Sequence, residues 1–142
     1  MASKWYSKGF EGFCDGSVDW DADTIKCALI SSSYTWNDDH DFWDDITGEL
    51  SGTGYTAGGE TLSNCAVNRD TGNDRVELDA DDVTWTSIDA GTAVAAIIYK
   101  DTGAASTSPL IAYVEFSDPV VTNGGDFTIQ WNAEGILQLA SA

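Results

Sequence analysis

The one histidine of the chain, His40, sits in the run Asn37-Asp38-Asp39-His40-Asp41. An imidazole beside carboxylates is the simplest arrangement for a general base. A base needs something to activate, and the sequence offers neither a G-x-S-x-G turn nor a cysteine placed to pair with it. His40 therefore reads as a polar loop residue. A phosphate-binding loop and a G-x-G-x-x-G fingerprint are absent as well. Asp19-Trp20-Asp21-Ala22-Asp23 opens like a calcium loop, with carboxylates at alternate positions. The likeness then stops: Thr24 stands where such a loop needs glycine, and Ile30 where it needs glutamate. Asp19, Asp21 and Asp23 are thus weak candidates for a loose metal site. Asp79, Asp81 and Asp82 form a second acidic group of the same kind. Both groups read first as solvated strand ends or caps. A carboxylate pair on a β scaffold can hydrolyse glycosides, but among 24 acidic residues some pair meets by chance.

The cysteines, Cys14, Cys27 and Cys65, are odd in number and contain no C-x-x-C. That argues against a disulfide framework or a structural zinc. Cys27 lies in an alternating apolar run and reads as a core residue. The chemistry-bearing residues together lead to the expectation of no enzyme activity and no cofactor.

Charge is more informative. Six Lys and Arg against 24 Asp and Glu leave a formal net charge of −18. Such a surface repels phosphate backbones and anionic bilayers, so neither nucleic acid nor membrane is an expected partner. A partner with a positive face is expected instead. The opening Met1-Ala2-Ser3-Lys4-Trp5-Tyr6 lacks the apolar stretch of a signal peptide, and no window has the length of a membrane span. Synthesis in the cytoplasm, with release by lysis if at all, is the expectation.

The elements that position these residues read as mainly β. The 142 residues suit a single domain. A short helix or arm is expected at residues 4–15, with Tyr6, Phe10, Phe13 and Cys14 on one face; Gly9 and Gly12 weaken it, and Asp15-Gly16 ends it. Alternation or continuous apolar runs predict strands at about 24–30, 62–67, 75–79, 83–85, 92–100, 110–116, 127–131 and 136–139. Residues 92–100 and 110–116 are apolar on both faces, the pattern of central strands. Residues 31–60 are polar, acidic and Gly-rich, yet carry Tyr34, Trp36, Phe42, Trp43 and Tyr55. They read as a partly ordered excursion whose aromatics pack on the body or on another subunit. The expected architecture is a β-sandwich or barrel of residues 24–142, preceded by an N-terminal arm or short helix over 1–23.

Several segments resemble a known group. They are Lys4-Trp5-Tyr6-Ser7-Lys8-Gly9 with Phe13, Asp19-Trp20, Asp23 to Leu29, Leu78 to Trp85, Ile97 to Gly103, Ser108 to Tyr113 and Asn123 to Trp131. Their order is similar to that of a family of small structural proteins of tailed-phage virions. The likeness is weakest over residues 31–77. It implies a capsid decoration, or cement, protein on the outer head surface, bound to the major capsid protein as a homotrimer. A tail- or fibre-associated component, able to bind host glycans, is the rival. The resemblance brings no catalytic residues. The candidate contact residues are Trp5, Tyr6, Phe10, Phe13, Trp36 and Trp43, and residues 1–14 are expected to be removable without unfolding the β body.

Overall fold

The computed structural model describes residues 2–140. Among the described residues ten strands and one α-helix follow the chain as β1 (Ala2–Trp5), α1 (Ser7–Asp15), β2 (Ile25–Ile30), β3 (Glu60–Thr61), β4 (Ala66–Asp70), β5 (Arg75–Asp79), β6 (Val83–Trp85), β7 (Thr92–Lys100), β8 (Leu110–Val121), β9 (Phe127–Ile129) and β10 (Leu137–Ala140). The main sheet has five strands in the order β1-β8-β7-β2-β3. A three-stranded sheet, β10-β5-β4, and a two-stranded ribbon, β6-β9, complete a sandwich-like, wholly antiparallel arrangement.

The main sheet is buried on both faces, which is why its inner strands carry apolar side chains at consecutive positions. On one face Cys27, Leu29, Ala96, Ile98 and Val114 pack against Leu78, Trp85, Ile129 and Leu137 of the smaller sheets. On the other, Ala28, Ile30, Ala95, Ile97 and Leu110 pack against Tyr6 and Tyr34. That second cover is the long loop. It also continues the edge of β2: the Leu50 N–H donates to the Leu29 carbonyl at 3.0 Å and the Ser31 N–H to the Gly48 carbonyl at 2.8 Å. Tyr34, Leu50 and Tyr55 are buried, so residues 31–59 are an integral layer lacking regular strands.

Three local expectations are corrected. The N-terminal helix begins at Ser7, because residues 2–5 instead pair with β8, Trp5 opposite Ala112. The helix does not bury an aromatic face. Gly9 and Gly12 are its buried residues, since a Cβ on Gly9 would lie 2.8 Å from the Ile111 carbonyl oxygen. The glycines that weaken the helix in isolation are what let its backbone lie against β8. The strand expected at 62–67 begins only at Ala66, in β4; residues 62–65 connect β3 to β4, with Asn64 in the left-handed region at φ 53°.

β8 runs to Val121, beyond the expected Phe116. Its register against β7 shifts between Ala93 and Ala95. Pro119 falls inside the resulting bulge, where a missing N–H breaks no ladder bond. The division at residue 23 also fails: β1 is the edge strand of the main sheet and Tyr6 is 0% exposed. Residues 2–15 are part of the body.

Candidate functional site

The N-terminal aromatics form a partly open apolar surface. The Trp5 and Phe10 rings stack with centroids 4.5 Å apart, and Phe13 meets Trp5 edge-on at 5.8 Å. Phe10 remains 42% exposed. Phe13 also walls an apolar groove of about 260 Å³ with Val18, Trp20, Val67, Val76 and Leu139. Val67, on the edge strand β4, is 49% exposed. Helix and small sheet therefore present one continuous apolar face. Three of the expected contact residues, Trp5, Phe10 and Phe13, come together there.

The other three do not. Tyr6 is a core residue: its hydroxyl is 2.7 Å from that of Tyr34, which is 2.8 Å from His40 Nδ1. Burial pushes the Tyr6 phenol well above its ordinary range. Trp36 is half-buried at 6.2 Å from the Tyr6 ring, with Lys4 Nζ 5.0 Å from the Trp36 ring centroid. Trp43 lies flat on Tyr99, at 4.3 Å and 14°. The loop aromatics thus pack on the body. His40 serves as the end of a hydrogen-bonded string linking the loop to Tyr6, in keeping with its reading as a polar loop residue.

The acidic groups bond inward. Asp23 accepts the Asp19 N–H at 2.7 Å and pairs with Lys100 at 3.0 Å. A hydrogen bond to Asp21 raises the Asp19 carboxyl above its usual range. Asp82 accepts the Trp131 N–H at 2.9 Å, and Asp81 accepts from Asn64 at 2.5 Å. Among the described residues no group of three or more His, Cys, Asp or Glu is placed to hold a metal ion. Cys14, Cys27 and Cys65 are free thiols. No helix among the described residues is long and apolar enough to cross a membrane.

A polar cavity lies on the loop-covered side of the main sheet, where Lys26, Trp43, Glu49, Tyr99 and Asp101 meet. Its members come from four separate segments with no shared motif. The chain matches no protein-family model, no curated protein and no solved structure. Sequence reading singled out Trp43 but missed its neighbours, as it missed Val67 and Leu139 in the apolar groove.

Proposed function

We propose that this chain is a virion structural protein of the small tailed-phage type, a cement protein on the outer face of the head. The observation that carries the reading is the half-open face of Trp5, Phe10, Phe13 and Val67 on a body of charge −18. A contiguous exposed apolar face on a soluble fold marks a contact surface. The ordered resemblance of its segments to virion proteins supplies the setting.

The charge supports an outward position. Lys8, Lys26, Arg75 and Lys100 are all engaged in internal ion pairs. The outward field is therefore acidic, which opposes contact with packaged DNA and favours a partner with a basic rim. The proposed partner is the major capsid protein, with the chain arranged as a homotrimer about a local three-fold axis. Many equivalent sites on a shell make weak contacts add up. Action is by binding, without turnover, after synthesis in the host cytoplasm.

Mixing the purified chain with shells that lack it tests the proposal. The chain is expected to co-sediment with shells at hundreds of copies per particle, and Phe10→Ser with Val67→Asp to abolish this while the fold persists. Copy numbers limited to one tail ring would favour the rival, a tail- or fibre-associated component. Failure to bind heads and tails alike would end both readings.

A further inference from the structure

The cavity beside Trp43 has a volume of about 290 Å³ and combines an aromatic wall with fixed polar groups. Trp43 rests on Tyr99, whose hydroxyl donates to the Gly58 carbonyl at 2.6 Å. Glu49 Oε2 accepts from both the Tyr55 hydroxyl and the Gly58 N–H, each at 2.8 Å. Both bonds fall on one oxygen, and Oε1 has no hydrogen-bond partner among the described residues. Lys26 Nζ stands 3.3 Å from Asp101 Oδ2, with the two side chains 24% and 29% exposed. Asp101 Oδ1 is anchored by the Gly103 N–H at 2.9 Å. The rest of the rim is small: Ala57, Gly58 and residues 103–105. The acceptors Glu49 and Asp101 are thus held at set positions by backbone N–H bonds, and the donor Lys26 by its ion pair with Asp101.

The ligand class follows from this chemistry. An anion is opposed by two wall carboxylates and by the charge of the whole chain. A wholly apolar ligand would strip water from the Lys26–Asp101 pair without replacing its hydrogen bonds. A neutral sugar ring satisfies both halves. Its C–H face covers aromatic surface, while neighbouring hydroxyls donate to Glu49 or Asp101 and accept from Lys26. The volume lies at the lower end for ligand pockets, which limits the occupant to one ring. We infer that this cavity binds a single neutral hexose ring, the terminal sugar of a glycan. The inference is independent of the capsid contact, which uses the Phe10 and Val67 surface.

NMR titration of the full chain with the methyl glycosides of glucose, galactose, mannose and N-acetylglucosamine tests it, with sialic acid as the anionic control. At least one neutral glycoside is expected to shift the Trp43 indole and Gly58 amide signals saturably, and sialic acid to leave them unmoved. Asp101→Asn keeps the Oδ1 acceptor for Gly103 and so the fold; it is expected to weaken binding about tenfold or more. The inference is overturned if all four glycosides leave the spectrum unchanged at high millimolar concentration, or if the shifts map to Trp5 and Phe10. Equal binding of sialic acid, or an Asp101→Asn variant that binds as well as the parent, also overturns it. None of these results bears on shell binding.

Discussion

Asp38 caps helix α1 from the far side of the long loop: its Oδ1 accepts the Ser7 N–H at 2.9 Å and its Oδ2 the Ser7 hydroxyl at 2.6 Å. Tyr6, at the N-cap position, makes no side-chain cap; its hydroxyl is engaged by Tyr34. Loop and helix are therefore fastened twice, at Ser7–Asp38 and at Tyr6–Tyr34–His40. Asp38→Ala is expected to lower stability by about 1 kcal/mol, the usual worth of an N-cap, read as a fall in the denaturant midpoint.

The same bond has a pH signature. The Ser7 hydroxyl and N–H hold the Asp38 carboxyl below the usual carboxylate range. A carboxyl with a depressed folded-state pKa stabilises the fold above its unfolded value, near pH ~4, and that contribution is lost as pH falls through the depressed value. Asp101, anchored by Gly103 and then by Lys26, acts in the same direction. Unfolding followed from neutral to acid pH should show stability falling below about pH 4. Asp38→Asn should shallow that slope, with a small, salt-sensitive effect because the group is exposed.

Glycine at the helix contact is testable by Gly9→Ala and Gly12→Ala. Alanine gains about 1 kcal/mol of helix propensity. At Gly9 the new Cβ meets the Ile111 backbone at 2.8 Å, which cannot step aside; at Gly12 it meets Val18 Cγ2 at 2.5 Å, a side-chain methyl that can shift. Overpacking costs about 1–3 kcal/mol, so Gly9→Ala should destabilise the protein and Gly12→Ala should do so less. Paired thermal melts would rank them.

Two equally buried tryptophans should respond differently to phenylalanine. Trp20 and Trp85 are each 1% exposed. Trp20 Nε1 donates to the Asp79 carbonyl at 2.9 Å, whereas Trp85 Nε1 has no hydrogen-bond partner among the described residues. Both substitutions leave a similar cavity, and only Trp20→Phe also removes a hydrogen bond. Trp20→Phe is expected to cost about 1 kcal/mol more than Trp85→Phe, measured by chemical denaturation.

Thiol alkylation offers a further check on burial. Cys14 is exposed, Cys65 half-buried and Cys27 fully buried. Burial pushes the Cys27 thiol far above its ordinary range. Mass spectrometry should find Cys14 modified first, Cys65 more slowly and Cys27 only on unfolding.

The main sheet was legible because period-2 alternation and doubly apolar runs report burial directly. Residues 75–79, 83–85 and 92–100 form strands at the predicted bounds. The turns at Gly16 and Gly124, with φ of 81° and 87°, were legible from their residue types. The N-terminal segment was not. Helical spacing of Tyr6, Phe10 and Phe13 is real in the sequence, but the close approach to β8 reverses which face is inside. The role of residues 31–60 was hidden for a related reason: a layer built from turns and isolated bridges has no period to detect. The polar cavity was least visible, since Lys26, Glu49, Tyr99 and Asp101 converge only in three dimensions.

Pairing of Trp5 with Ala112 also fixes an order of events. During synthesis β1 emerges more than a hundred residues before β8, its one strand partner among the described residues. The main sheet cannot close at that edge until residues 112–115 have left the ribosome. Contacts so distant along the chain make folding slow. In that interval the Trp5–Phe10–Phe13 cluster is exposed in a growing chain, where acidic like-charge repulsion is a natural guard against premature association.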